Sequence, residues 1–403
     1  MEDNHITRFA ATTYRAKGQV FGIKKADRRY HMYVLGKTGV GKSTLLKTLM
    51  YQDLLFGEGF ALFDPHGDLA DAVAQRIPED RQGEVHYLSP KGGWHFNPLR
   101  GIPKSELPRA AAGMVEVFKK LWPDDWGPRL EHVLRNALYT LIATPESSLA
   151  DLKRLFFSEE YRKRAVGNVQ NPEVLSFWNE EFGRFSARMQ ALVVAPILNK
   201  LGAFLTDPTL RQILTGGKAN TFDPRRVLDD GHILLVNLAK GIMGEGPAQL
   251  LGSLLVSTLS LAAFGRAEVP EEKRRDFYVY LDEFQNFGTR ALAGMLSELR
   301  KYRLALVLAN QYLSQLDPVV RDAVLGNVGT MVAFRLGAAD ATLISREMMP
   351  LYDPEDFVNL PNFEIYLRLM IDSQVSKAFS AKTLLRGGVR QSPAASNVLK
   401  KAL

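Results

Sequence analysis

The chain has 403 residues, 46% hydrophobic and 24% charged, the balance of an ordinary globular protein long enough for two or three domains. It contains no cysteine, which excludes disulfides, thiolate metal sites and cysteine nucleophiles and suits a reducing compartment. A net charge of +7 favours a polyanionic partner such as nucleic acid without establishing one.

The N-terminus, Met1-Glu2-Asp3-Asn4-His5, lacks the basic start and apolar core of a signal peptide. Tyr30–Leu35 is the first run that reads as a core strand. It leads into Gly36-Lys37-Thr38-Gly39-Val40-Gly41-Lys42-Ser43, the pattern G-x-x-x-x-G-K-[ST], followed by Thr44. Leu45, Leu46, Leu49, Met50 and Leu54 then recur at the spacing of one buried helix face. Strand, glycine loop and helix together wrap backbone N–H groups around a polyphosphate at the positive end of a helix. In that geometry Lys42 reaches the β- and γ-phosphates and the Ser43 hydroxyl ligates Mg²⁺, so the sequence predicts ATP and Mg²⁺ as ligands.

Phe60–Phe63 and Val85–Leu88 continue the strand pattern. Phe63-Asp64-Pro65-His66-Gly67-Asp68 follows the first of these, and its Pro and Gly force a turn. Asp64 and Asp68 fit either turn chemistry or support near Mg²⁺, and His66 reads as a hydrogen-bonding turn residue.

From about Pro103 to Thr221 the pattern is helical only. Leu130, Val133, Leu134, Ala137, Leu138, Leu141 and Ile142 form one stripe, and Asp151 is placed as the N-cap of the next helix. Strands resume at His232–Leu238, Phe277–Leu281, Leu304–Ala309, Gly329–Phe334 and Ile365–Ile371. The longest uncharged stretch, Gln249 to Gly265, is short for a bilayer and carries Gln249, Ser253, Ser257, Thr258 and Ser260, so it reads as a buried helix. Two blocks of alternating strands and helices predict an α/β fold with a mostly parallel central sheet, interrupted by an all-α insertion. The expected division is 1–29 as a short N-terminal segment, 30–102 with 222–386 as the nucleotide-binding domain, 103–221 as the insertion, and 387–403 as a flexible tail.

Phe277–Leu281 ends in Asp282-Glu283. A strand-end Asp can orient Mg²⁺ through its water shell, and the following Glu can activate the attacking water; a helix N-terminus is the alternative for such a pair. Leu304–Ala309 ends at Asn310-Gln311, where an amide either senses the γ-phosphate or satisfies loop backbone. Between them, Arg300-Lys301-Tyr302-Arg303 is either a solvated helix end or the source of an arginine that meets a neighbouring subunit's γ-phosphate. Lys24-Lys25, Arg162-Lys163-Arg164, Arg225-Arg226 and Lys273-Arg274-Arg275 are basic clusters of the kind that grips a DNA backbone, and equally of the kind found on any solvated surface.

The ordered set formed by the glycine loop, Asp64-Pro65-His66-Gly67-Asp68, Phe96-Asn97-Pro98-Leu99, Leu281-Asp282-Glu283-Phe284, Arg300-Lys301-Tyr302 and Asn310-Gln311 resembles the FtsK–HerA superfamily of DNA-pumping ATPases. The likeness spans about Arg28 to Arg386 and is closest to conjugative coupling proteins of the TraD and TraG type and to HerA-like translocases. It implies a RecA-like fold, a homo-hexameric ring around single- or double-stranded DNA, and active sites between subunits. It also implies that Glu283 is the catalytic base, Gln311 the γ-phosphate sensor and Arg300 the arginine finger, with Arg335 as the alternative finger. Partners of such motors include a nuclease, a relaxase or a secretion-channel protein, and the superfamily also contains ATPases that move proteins. Coupling proteins carry N-terminal transmembrane helices and HerA proteins an N-terminal β-barrel. About thirty residues precede the first core strand here, so the expectation is a motor reduced to its core, without a membrane span of its own. Its expected place is the cytoplasm, free or recruited to the inner membrane by a partner.

Overall fold

A computed structural model describes residues 5–14, 17–124, 126–217 and 219–384. The tail expected at 387–403 lies outside the described residues. The chain divides into two compact units. One comprises the segments through Ser89, Arg225–Ala239 and Ala262 onward; the other comprises Pro90–Pro224 and Lys240–Leu261.

The first unit is built on an eleven-stranded sheet. Its strands in chain order are β1 (Ile6–Thr12), β2 (Val20–Lys24), β3 (Met32–Leu35), β4 (Gly59–Asp64), β5 (Val85–Leu88), β6 (Ile233–Asn237), β7 (Phe277–Leu281), β8 (Leu304–Asn310), β9 (Thr330–Ala333) and β10 (Glu364–Arg368). After a small hairpin of β11 (Met370–Ile371) and β12 (Gln374–Val375), β13 (Phe379–Thr383) completes the sheet. The spatial order is β2-β1-β13-β10-β9-β3-β8-β7-β4-β6-β5. The run from β9 to β5 is parallel throughout, and the run from β9 to β2 is antiparallel. The fold is therefore mixed α/β with a mostly parallel sheet, as the alternating pattern predicts.

The central strands β3, β4, β7 and β8 are buried at every position. Burial on both faces turns a strand into a near-continuous apolar run, which is why these elements are visible in the sequence. One face, holding Met32 and Val34, Phe60 and Leu62, and Val307 and Ala309, packs on Leu45, Leu46, Leu49 and Met50 of the helix Lys42–Leu55. Alternate residues of each strand share this face because successive side chains point to opposite sides.

The short segment before Tyr30 carries two strands the sequence reading does not place, β1 pairing with β13 and β2 with β1 at the edge of the sheet. Strand β3 starts at Met32, because His31 has φ +64° and breaks the extended run.

The second unit is helical. Its longer helices are Leu107–Leu121, Pro128–Ala143 and Ala187–Leu205, and the stripe from Leu130 to Ile142 is buried as its spacing requires. Phe156, Phe177, Trp178 and Phe182 form an aromatic cluster with centroids 4.9 to 6.2 Å apart. Asp151 is the first residue of its helix, not the N-cap; its carboxylate accepts from the Ser148 N–H at 2.9 Å. This unit reaches beyond 103–221, because Lys240–Leu261, most of the helix Glu245–Phe264, groups with it. That helix is long and apolar enough to cross a membrane, yet 72% of its apolar window is buried within the protein, as a core helix is.

Candidate nucleotide site

Strands β3, β8 and β7 lie side by side and parallel, so their C-terminal ends deliver the glycine loop, Asn310-Gln311 and Asp282-Glu283 to one edge. Strand β4, beside β7, brings the turn from Asp64 to Asp68 to the same edge.

The glycine loop is anchored by its neighbours. The Gly36 N–H donates to the Asn310 carbonyl at 3.2 Å and the Lys37 N–H to the Arg335 carbonyl at 3.0 Å. Gly41 adopts φ +120°, and a Cβ there would lie 2.7 Å from the Phe363 ring, so only glycine fits. Ser43 is exposed in the first turn of the helix and Thr44 follows it. The Lys42 ammonium folds back on the loop and donates to the Gly36 and Lys37 carbonyls at 2.5 and 2.9 Å. Burial lowers its pKa, and the Asp282 and Glu283 carboxylates oppose that shift.

Asp282 is buried, and its pKa is raised to about 6, first by burial and then by Asp64 and Glu283, with Lys42 opposing. Glu283 sits in the left-handed region at φ +49°, a conformation that a long side chain adopts only when its surroundings hold it there. Three donors converge on its carboxylate. Gln311 Nε2 reaches Oε1 at 2.9 Å, His66 Nε2 reaches the same oxygen at 3.0 Å, and Asn286 Nδ2 reaches Oε2 at 3.3 Å. Gln311 is also bound from its other end, because its Oε1 accepts from the Thr38 hydroxyl at 3.0 Å. One amide thus links the glycine loop to Glu283.

Asp64 follows the turn reading: one oxygen accepts from the His66 N–H at 2.9 Å, the other from Leu69 and Ala70 N–H at 2.8 and 3.0 Å. His66 is a turn residue as expected, and its ring also holds Glu283. Neither His66 nor Asn286 is read from the sequence as a Glu283 partner: His66 becomes one only because β4 and β7 are adjacent, whereas Asn286, three residues on, reaches Glu283 through the local turn.

The two arginines separate. Arg300 lies before the start of β8, with its guanidinium 3.6 Å above the Tyr30 ring. A strand of seven residues, roughly 23 Å long, stands between it and Gln311. Arg335 lies beside the chain's own glycine loop and donates to Asn362 at 2.8 Å. Several of the basic clusters are engaged internally. Arg274 donates to the carbonyls of Arg266, Val269 and Lys301, Arg275 to those of Asp230 and Gly57, and Arg225 pairs with Asp229.

The donor set suits a Mg²⁺-nucleotide. Among the described residues no group of three or more His, Asp or Glu could cage a metal. Ser43 and Asp282 carry hard oxygen atoms of the kind that would hold a metal shared with phosphates.

The family described as "Helicase HerA, central domain" matches residues 23–161. This span, about a third of the chain, is similar to a HerA central domain. No curated protein matches the chain. Among solved structures, the bacterial conjugative coupling protein TrwBdeltaN70 superposes with a TM-score of 0.65 at 16% identity, over 93% of this chain and 89% of that one. TrwB in complex with ADP and Mg²⁺ gives 0.65 at 17%, over 97% and 98%. VirB4 of Thermoanaerobacter pseudethanolicus gives 0.60 at 15%, over 98% and 99%. The fold is that of TrwB and VirB4, and the segment similar to HerA carries the glycine loop and the turn whose His66 meets Glu283.

Proposed function

We propose that the protein is an ATP-driven DNA translocase that works as a ring, a hexamer by likeness to its family, hydrolysing ATP between subunits. The observation that carries the reading is the Thr38–Gln311–Glu283 chain, which joins the phosphate loop to a positioned carboxylate. Lys42 and the loop N–H groups hold the phosphates, and Ser43 with Asp282 hold the metal. Bound Mg²⁺ supplies charge neutralisation at the phosphoryl group. Glu283 accepts the proton of the attacking water, and Gln311 reports the γ-phosphate to it.

The position of Arg300 supports the ring. It stands too far from its own loop to act there, so its role as a finger needs a neighbour's site. DNA as the cargo is supported by the HerA match, the likeness to a conjugative coupling protein and the net charge of +7. A second reading, an ATPase that moves protein, is favoured by the likeness to VirB4. A partner nuclease, relaxase or channel protein then defines the pathway, and the protein works in the cytoplasm or at the inner membrane through that partner.

The deciding assay is ATP turnover with and without single- and double-stranded DNA, beside Glu283→Gln. Stimulation by DNA that the substitution abolishes supports the motor. Full turnover indifferent to DNA favours the protein-moving reading, and turnover in Glu283→Gln equal to wild type removes the catalytic assignment.

A further inference from the structure

The proposed reaction places the terminal phosphate at one end of the glycine loop, where Thr38, Gln311 and Glu283 meet. The triphosphate then runs toward Gly41 and Thr44, and the nucleoside must emerge past that second end. The turn before β10 waits there, where the Val40 carbonyl accepts from the Phe363 N–H at 2.8 Å; the turn after β9 runs alongside, its Arg335 carbonyl holding the Lys37 N–H at 3.0 Å nearer the first end. The Phe363 ring lies against Gly41, where an added Cβ would be only 2.7 Å away, and the ring remains half-buried. Beside it Arg335 and the exposed Asn362 are joined at 2.8 Å.

Phe363 has φ +67°, a region that bulky residues rarely enter. The turn enforces it: the Phe363 carbonyl accepts from the Thr383 N–H at 2.8 Å and from its hydroxyl at 3.1 Å. A chain that needed only to pass this corner would be relaxed by glycine or asparagine. Retaining an aromatic ring under strain, on the loop that cradles phosphate, indicates that the ring itself is used.

We infer that Phe363, flanked by the Arg335–Asn362 pair, is the nucleoside subsite of the P-loop, with the base stacking on the phenyl ring. The ligand class is a nucleoside triphosphate held by the π-face of its base, which any purine presents. This inference rests on the nucleotide-binding reading of the loop and adds to it what the glycine motif leaves open. It also gives Arg335 a role at its own subunit's site, which leaves Arg300 as the residue available to a neighbour.

The test compares a ligand with a base to one without. Calorimetric titration with Mg²⁺ and either a non-hydrolysable ATP analogue or inorganic tripolyphosphate separates the loop from the subsite. In Phe363→Leu the nucleotide should bind about tenfold more weakly, while tripolyphosphate stays within about twofold; Phe363→Tyr, which keeps the ring, should restore nucleotide affinity. Asn362→Ala, on the exposed turn, should weaken nucleotide about threefold by freeing Arg335, again with tripolyphosphate unmoved. An equal fall for both ligands in Phe363→Leu would mean that the ring only props Gly41, and would overturn the subsite, as would unchanged nucleotide affinity. Wild-type protein that binds neither ligand would instead overturn the nucleotide reading itself.

Discussion

Gln311→Ala tests the proposed link between the nucleotide and the Glu283 carboxylate. In the native site the Glu283 carboxylate receives donors from Gln311, His66 and Asn286, at 2.9, 3.0 and 3.3 Å. The substitution removes the shortest of the three. A hydrogen bond to an ionised partner contributes about 1.5–3 kcal/mol, so the orientation of Glu283 loses about 2 kcal/mol. At 1.36 kcal/mol per decade, kcat should fall about thirtyfold. The other bond lost, from the Thr38 hydroxyl, costs little because Thr38 is exposed and water replaces the amide. In the proposed mechanism binding runs through Lys42 and the loop N–H groups, so the Kd for an ATP analogue should stay within about threefold. A coupled ATPase assay beside analogue titration reads both quantities. If kcat falls less than about threefold, or the Kd rises in step with the loss of kcat, Gln311 is not the link and the reasoning fails.

Three further outcomes follow from the structure. His31 is buried, accepts from the Leu306 N–H at its Nδ1 and hydrogen-bonds the Leu296 carbonyl through its Nε2, and burial lowers its pKa from 6.5 to about 4. The unfolded chain therefore takes up the proton first, and stability present above pH 6.5 is lost as pH falls toward 4, about 2 kcal/mol of it by pH 5. Urea unfolding at pH 7 and pH 5 should show this loss shrinking in His31→Asn, whose side chain tolerates φ +64°. The buried Arg28 pairs with Asp53, donates to the Tyr280 hydroxyl at 2.8 Å and stacks 3.5 Å over Tyr278. Asp53→Ala should cost about 3–5 kcal/mol by chemical denaturation, and Arg28→Met with Asp53→Leu should recover most of it, because the lone variant strands a buried charge. Arg300→Ala should lower kcat by about a thousandfold, and mixing it with Glu283→Gln subunits should restore measurable turnover; a mixture as inactive as its components would count against a shared site.

The core strands are readable because burial on both faces makes them continuous apolar runs, as in Phe277–Leu281 and Leu304–Asn310. Strands β1 and β2 escape notice for the opposite reason. Ile6–Thr12 alternates exposed and buried positions, and a register shift between Arg8 and Ala10 breaks its period. Asp151 shows a different limit, since its residue type suits the N-cap and the first turn equally, and only the backbone places it in the helix.

By itself the sequence determined the phosphate loop, the carboxylate pair after β7 and the apolar strands that carry them, because each depends on residues adjacent along the chain. What only the tertiary structure decided is which distant groups meet: His66 and Gln311 on Glu283, Phe363 against Gly41, and Arg300 on Tyr30 far from its own loop. The contacts on Glu283 follow from strand order in the parallel part of the sheet. Strand β8 lies between β3 and β7, and β4 lies beyond β7. Local composition encodes that a strand forms, whereas its neighbours are chosen by the packing of the whole sheet.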